Sequence, residues 1–197
     1  MRMMQMLNEH AHKNRREAGV MPKIINNLEE NILSAARRLV AEQGYAAVTM
    51  RAIAKECGIA VGTFYNYYPS KDAMLAACLL HDWQTALASA GERTAAAQSA
   101  EEAVGAVFDA VRAFQEQNRS IFSDEGARSS AAGALQSRHA QLRAQIAALL
   151  EAPCRRFSDA PDAAFLAEFA AESILSWSGT DISFPQLWTL LKRLFIK

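Results

Sequence analysis

The stretch TMRAIAKECGIAVGTFYNYYPSK, residues 49–71, decides the fold of this chain. Ile53, Ala54 and Cys57 recur at the spacing of one buried helix face. Gly58 then interrupts the helix, and a proline ends a second helix that we expect over about residues 60–67. The stretch therefore predicts two short helices joined by a tight turn, with Thr49 as the N-cap of the first.

The second of these helices is too short to be stable alone and has little apolar surface to bury. Phe64 and Tyr68 lie four residues apart and are expected to face inward. The residues left toward solvent or a ligand are Val61, Gly62, Thr63, Tyr65, Asn66 and Tyr67. A helix that presents hydroxyl, amide and phenol groups outward favours contact with another surface, and duplex DNA is the expected one.

The exposed residues suit that role individually. Gly62 costs about 1 kcal/mol relative to alanine in a helix, which is reasonable where the backbone must approach another surface closely. Thr63 and Asn66 can bond base edges or phosphates, and the rigid Tyr65 phenol can reach a phosphate oxygen. Lys71 follows the predicted cap Ser70, at a helix start where a phosphate also meets free N–H groups.

The segment GTFYNYYPSKDAML resembles the recognition-helix signature of the tetracycline-repressor (TetR) family of bacterial transcriptional regulators, and the similarity covers about residues 29–80. The resemblance implies phosphate contacts by Tyr65 and Lys71, with Thr63 and its neighbours facing the major groove. Where the family often has His-Phe, this chain has Tyr67-Tyr68. The full predicted DNA-contacting set is Thr49, Arg51, Val61, Gly62, Thr63, Tyr65, Asn66, Tyr67 and Lys71. The alternative is a helical hairpin that packs on another protein.

Helical periodicity throughout predicts an all-α chain with three parts. Residues 1–27 form a flexible basic extension, residues 28–75 a three-helix helix-turn-helix domain, and residues 76–197 a helical effector-binding and dimerisation domain. We expect Asn27 and Glu30 to form a capping box at the start of the first helix. In the body, we expect a helix to about residue 90, a loop and a new helix start within GERTAAAQSAEE, and a helix stopped by Pro153.

Charge and composition restrict the function only in part. The chain has no net charge, but its first 28 residues hold five basic and two acidic side chains, so they form either a DNA-binding arm or a loose terminus. The three cysteines have no CxxC spacing and lie in apolar helical contexts, which favours buried thiols over a redox or zinc site. No sequence window resembles a catalytic motif, so we expect no enzyme activity, no cofactor and no metal. The absence of a long apolar run predicts a cytoplasmic protein without a membrane partner.

The second domain is expected to hold a small, largely apolar effector and to form a homodimer, as the family resemblance implies. Candidate effector contacts are Trp83, Phe108, Arg112, Phe114, Phe122, His139, Phe165 and Phe169. Candidate interface residues are Trp177, Trp188, Leu191 and Phe195. Each of these side chains also suits an ordinary helical core.

The sequence thus predicts a homodimeric repressor that the effector releases from a pseudo-palindromic double-stranded DNA operator. The alternative is a regulator or architectural protein whose body binds a protein partner instead of a small molecule.

Overall fold

The computed structural model describes residues 27–123 and 139–195, and all regular structure in these ranges is helical. The helices are α1 Leu28–Gln43, α2 Met50–Glu56, α3 Val61–Tyr67, α4 Lys71–Ala96, α5 Ala100–Gln117, α6 Arg119–Ser123, α7 His139–Phe157, α8 Ala163–Trp177 and α9 Phe184–Leu191, with a 3-10 turn at Lys192–Leu194. The predicted all-α fold is confirmed. Of the predicted extension, only Asn27 lies within the described residues. No helix in the described residues is long and apolar enough to cross a bilayer.

Helices α1 to α3 and the start of α4 share one small core. Ile32 of α1, Ile53 of α2, Phe64 of α3 and Met74 of α4 are all completely buried. Because Phe64 is the one α3 side chain in this core, it determines which face of α3 remains outside.

The residues in the turns between these helices adopt the conformations and capping bonds expected for their types. Gly44 and Gly58 have φ angles of 77° and 65°, a left-handed region that glycine enters without steric cost. The Thr49 side chain accepts a hydrogen bond from the Ala52 N–H, and the Ser70 side chain caps α4 in the same way. Both predicted N-caps are therefore confirmed.

The predicted capping box at the start of α1 is wrong. Asn27 has a φ angle of 62°, and its side chain makes no capping hydrogen bond. A capping side chain needs an extended backbone at this position, which the left-handed conformation of Asn27 does not provide.

Helix α4 continues six residues beyond the predicted end and includes residues 91–96, the first half of the segment expected to contain a loop. A β-carbon at Gly91 would make an ordinary 3.5 Å contact with the Leu149 methyl group, so this turn of α4 packs against α7. Arg93 reaches Asp109 of α5 at 2.8 Å. Packing on both neighbours holds the last turns of α4 helical in spite of their polar composition.

Pro153 does not stop α7, which continues to Phe157. The proline is buried in the last turns of the helix, where its missing N–H costs one hydrogen bond. Helix α7 packs along α8 more extensively than any other described pair of helices, and this contact outweighs the lost bond.

Helix α5 is the centre of the body. Its buried face includes Val104, Val107, Phe108 and Val111, and α4, α7, α8 and α9 all pack against it. The short α6 contacts both α5 and α1, so it touches the body and the amino-terminal helices at once. The boundary expected between residues 75 and 76 falls inside the continuous α4, and the buried apolar side chains form one cluster across it.

Candidate DNA-reading surface and effector pocket

The inner face of α3 is anchored by two aromatic side chains. Phe64 is fully buried, and Tyr68 is 6% exposed with its hydroxyl donating to Glu29 of α1 at 3.2 Å. Burial and the neighbouring Glu29 carboxylate raise the pKa of Tyr68 well above its ordinary value of 10.0. The family resemblance places a phenylalanine at this position, and Glu29 gives the extra hydroxyl of Tyr68 a partner.

The outer face of α3 carries the predicted reading residues. Tyr65 and Tyr67 are 51% and 44% exposed, and Gly62 and Asn66 are exposed beside them. Val61 and Thr63 are half-buried at the edge of this face. Among the residues that the structure describes, a β-carbon at Gly62 would meet no atom within 4 Å, so their packing does not require glycine there.

Two further predicted contacts lie in and before α2. Arg51 is exposed in the first turn of α2, and Thr49 is exposed although its hydroxyl oxygen already accepts the Ala52 N–H at 3.1 Å.

Lys71 is placed differently from a free phosphate ligand. Its ammonium donates to the backbone oxygens of Tyr45 at 2.8 Å and Val48 at 3.2 Å, and lies 4.1 Å from the centre of the Tyr45 ring. The Tyr45 hydroxyl donates in turn to Asp72. These bonds join the loop between α1 and α2 to the start of α4, so they hold the helix pair in position.

A cavity of about 680 Å³ opens among α4, α5, α6, α7 and the loop after α8. Its size is typical of sites for small organic molecules. Its lining consists of Trp83, Val111, Arg112, Phe114, Gln115, Glu116, Arg119, Phe122, His139, Leu142, Leu175, Ser178, Gly179, Thr180 and Asp181. We refer to it below as the body cavity.

The structure brings together five of the eight predicted effector residues. Trp83, Arg112, Phe114, Phe122 and His139 line the body cavity. Trp83 and Phe122 both meet the ring of Phe114 edge to face, at centroid distances of 5.3 and 6.0 Å. The apolar wall is therefore mostly aromatic.

The other three predicted effector residues lie elsewhere. Phe108 is 1% exposed and packs on Phe184 at 5.6 Å, away from the cavity lining. Phe165 and Phe169 are 69% and 47% exposed on α8. The spacing of the apolar residues identifies α8 as an apolar helix, but it does not show which of them face the core. In the structure, Phe165 and Phe169 face solvent.

Sequence reasoning missed the polar part of the lining. Gln115 follows the predicted Phe114 on the same helix, and residues 178–181 form the loop directly after α8. A serine and a glycine directly after an apolar helix were the available signal. Arg112, a predicted effector contact, donates to the backbone oxygens of Thr180 at 3.2 Å and Ile182 at 3.3 Å and holds this loop in place.

A stripe of large apolar side chains faces solvent on α8. We call Phe165, Phe169 and Trp177 the α8 stripe, and each is at least 46% exposed. Leu190 of α9 and Leu194 just after it are also exposed. Monomeric soluble proteins rarely leave such large aromatic groups together in water, so this surface is a candidate interface.

The predicted interface set is divided by the structure. Trp177 is exposed as expected, whereas Leu191 and Phe195 are 3% and 6% exposed within their own chain. Trp188 is half-buried and stacks on Phe184 at 6.1 Å. Leu191 and Phe195 are therefore corrected to core residues. Phe195 follows α9 and packs on Trp188 at 5.5 Å.

The thiols are poorly suited to redox chemistry. Burial raises the pKa of Cys78 to about 12 and that of Cys154 to about 11, and burial together with Glu56 raises the pKa of the partly exposed Cys57. A reactive thiol needs the opposite shift. No group of three or more His, Cys, Asp or Glu side chains able to hold a metal ion occurs in residues 27–123 and 139–195.

Comparison with known proteins finds a family, sequence relatives and solved structures that resemble this chain. The profile of the family described as "Bacterial regulatory proteins, tetR family" matches residues 32–78, the segment that builds α1 to α3 and the start of α4. Residues 32–78 therefore match the amino-terminal, helix-turn-helix part of this family. The regulator UidR of Escherichia coli strain K12 is 44% identical over 57 residues, which cover 29% of this chain and 29% of UidR. The match thus spans less than a third of that relative.

Solved structures share the fold over most of the chain. A TetR-family transcriptional regulator from Streptomyces coelicolor aligns with a TM-score of 0.58 at 20% identity, over 85% of this chain and 99% of the other. The regulator FadR from Bacillus subtilis, solved in complex with stearoyl-CoA, aligns with a TM-score of 0.55 at 17% identity, over 84% and 97%. The tetR-family fold therefore extends from α1 through the helical body.

Proposed function

We propose that this tetR-family protein is a DNA-binding transcriptional regulator, acting as a homodimeric repressor that a small molecule releases from its operator. The observation that carries the proposal is the outer face of α3. Two aromatic anchors fix the helix from inside, while Tyr65, Asn66 and Tyr67 project outward, and no described part of the chain covers them. A recognition helix in the major groove needs this division of faces.

In this proposal, a small number of specific side-chain contacts provide the affinity for DNA. Residues 29–80 contain five basic and five acidic side chains, so the domain has no broad positive surface. Tyr65 and Tyr67 bring phenolic hydroxyls to the phosphates, while Thr63 and Asn66 face base edges. The open space at Gly62 lets the helix backbone approach the groove wall.

A dimer provides the second reading helix. The α8 stripe supplies aromatic side chains of the kind that anchor protein interfaces, and a second copy of the same chain is the occupant we propose. A two-fold dimer reads two half-sites, about 34–36 Å apart in the simplest arrangement. The operator is accordingly pseudo-palindromic.

The body cavity is the proposed effector site, and α6 offers a physical route from it to the reading helices. Arg119 and Phe122 of α6 line the cavity, and the same short helix packs on α1. An effector shifts the protein toward the released state only if it binds that state more tightly. FadR of Bacillus subtilis was solved with stearoyl-CoA, which supports a ligand-responsive body for this fold.

Selection of binding sites from random duplex DNA, followed by fluorescence anisotropy with the full chain, tests the proposal. We expect one enriched pseudo-palindrome, and at least about tenfold weaker binding for Tyr65→Ala. Leu80→Ala is the matched control, because Leu80 is 47% exposed on α4, away from α3. Absence of any enriched sequence, or equal affinity of Tyr65→Ala and the wild type, would contradict the proposal.

A further inference from the structure

Two oxygen atoms in the wall of the body cavity have no hydrogen-bond partner. They are Ser178 Oγ, in a residue that is only 2% exposed, and the buried Gln115 Oε1, and neither bonds to any atom of residues 27–123 or 139–195. Both residues line the cavity. A buried polar atom without a partner is costly to the folded state, so each such atom requires an explanation.

The two orphan oxygens belong to the same end of the cavity. A β-carbon at Gly179, the residue after Ser178, would lie 3.2 Å from the Gln115 amide nitrogen and 3.5 Å from its oxygen. Glycine at this position therefore lets the loop and the Gln115 amide approach each other. The arrangement brings an acceptor oxygen and a hydroxyl together on one stretch of wall.

The positive charges of the cavity wall are already engaged by the chain's own atoms. Arg112 donates to the Thr180 and Ile182 backbone oxygens, and Arg119 lies 3.5 Å from Glu116. His139 lies 3.7 Å from Glu172. The lining also includes the carboxyl groups of Glu116 and Asp181, which balance the two arginine charges, so the wall has no excess positive charge for an anionic head group.

The rest of the wall is apolar. Trp83, Phe114 and Phe122 form the aromatic side, and Leu142 and Leu175 complete it. The polar atom of Trp83 is satisfied, since its indole N–H donates to Gln145 at 2.8 Å. This part of the cavity therefore suits a hydrocarbon chain or ring system.

We propose that the body cavity binds an uncharged, apolar molecule that carries a hydroxyl group. Its O–H donates to Gln115 Oε1, its oxygen accepts from the Ser178 hydroxyl, and its hydrocarbon part lies on the aromatic wall. A carboxylate, by contrast, has no proton to donate to Gln115 Oε1 and finds no excess positive charge on the cavity wall. The inference rests on the proposed function, because it names the chemical class of the effector.

Isothermal calorimetry and thermal shift on the full chain at pH 7.5, with 1-decanol and decanoate as probes, test this inference. The two probes have the same hydrocarbon length and differ in the charge of the head group. We expect 1-decanol to bind and to raise the melting temperature, and decanoate to bind at least about tenfold more weakly. Methyl decyl ether, which accepts but cannot donate, is also expected to bind about tenfold more weakly than 1-decanol.

Two near-isosteric variants test the orphan oxygens directly. Ser178→Ala and Gln115→Met are each expected to weaken 1-decanol binding about tenfold while the ligand-free protein stays folded. Thr189→Ala is the control, because the Thr189 hydroxyl is exposed on α9 and donates to Pro185. A melting temperature of the free variants close to that of the wild type shows that the loss is local.

Several results would overturn the inference: no binding of 1-decanol, binding of decanoate as tight as that of 1-decanol, or wild-type affinity in both variants. Operator binding without ligand is measured on the same samples. A protein that binds its operator but not 1-decanol refutes the effector class alone. A protein that binds 1-decanol but no operator refutes the proposed DNA-binding function alone.

Discussion

Arg37 of α1 pairs with Asp82 of α4 across 2.8 Å, from Nη2 to Oδ1, and joins the reading domain to the helix that enters the body. The same Arg37 nitrogen lies 3.1 Å from Nδ1 of His81. The Asp82 side chain is 3% exposed and that of Arg37 is 23% exposed. The carboxylate thus depends on the arginine for its charge partner much more than the arginine depends on the carboxylate.

We predict an asymmetry between the two single variants of this pair. Arg37→Met leaves a buried carboxylate without its main partner and is expected to lower the free energy of unfolding by up to about 3–5 kcal/mol. Asp82→Asn leaves an arginine that water can still reach, so the loss is smaller. Urea unfolding of both variants measures the difference. Equal losses, or a larger loss for Asp82→Asn, would show that the pair is not held as the structure has it.

Lys71 is predicted to act as a clamp on the loop between α1 and α2. Lys71→Met removes its bonds to the Tyr45 and Val48 backbone oxygens and is expected to lower the free energy of unfolding by about 1–3 kcal/mol. The slope of log K against log salt for operator binding should stay unchanged. If Lys71 instead neutralises a phosphate, as the family resemblance implies, the slope becomes shallower by about 0.9. The salt series therefore separates the two roles.

The buried thiols predict a fall in stability at alkaline pH. In the folded chain the pKa of Cys78 is about 12, above its ordinary value of 9.0. Below pH 9 both states keep the proton, so the thiol adds no pH dependence to the free energy of unfolding. As the pH rises from 9 toward 12, only the unfolded chain releases the proton, and stability falls by at most about 1.4 kcal/mol per pH unit.

Cys78→Ala should make this alkaline fall shallower, even though it lowers stability at neutral pH by leaving a small gap. Urea unfolding of wild type and variant at several pH values from 8 to 10.5 measures the two slopes. The interpretation of Cys78 as a protonated core thiol would fail if the slopes were parallel.

The α8 stripe is predicted to hold the dimer together. Phe169→Glu places a charge in the stripe and should convert the dimer to a monomer in sedimentation velocity, with weaker operator binding as a consequence. Leu80→Glu is the control, since both original side chains are 47% exposed. A dimer that survives Phe169→Glu would place the interface elsewhere.

The sequence predicts the reading domain well because local signals determine it. Two N-caps, two positive-φ glycines and two aromatic anchors set α2, α3 and the start of α4, and each acts within a few residues of itself. Asn27 and Glu30 have the spacing of a capping box, but the backbone of Asn27 is in the left-handed region, so its side chain does not cap α1.

The body is predicted less accurately because its elements depend on tertiary contacts. Pro153 and Gly91 interrupt a helical pattern locally, yet α7 and α4 continue through them by packing on each other and on α8. Periodicity also marks Phe165 and Phe195 equally as apolar helix positions, although the first faces solvent and the second the core. Only the arrangement of the helices distinguishes them.

Gly62→Ala tests the central claim, that the outer face of α3 lies against DNA, most directly. A β-carbon at Gly62 meets no atom of the chain within 4 Å, so alanine is expected to leave the melting temperature unchanged or to raise it, by up to about 1 kcal/mol of added helix stability. The same methyl group would stand between α3 and the groove wall and weaken operator binding at least about tenfold.

Gly91→Ala is the matched control for this measurement. Gly91 lies in α4, away from α3. A β-carbon at this position would make an ordinary 3.5 Å contact with Leu149 of α7. We predict a stability gain of the same kind for Gly91→Ala with full operator affinity, and a stability gain with lost affinity for Gly62→Ala. Unchanged operator affinity in Gly62→Ala would contradict the account of α3 as the DNA-reading helix.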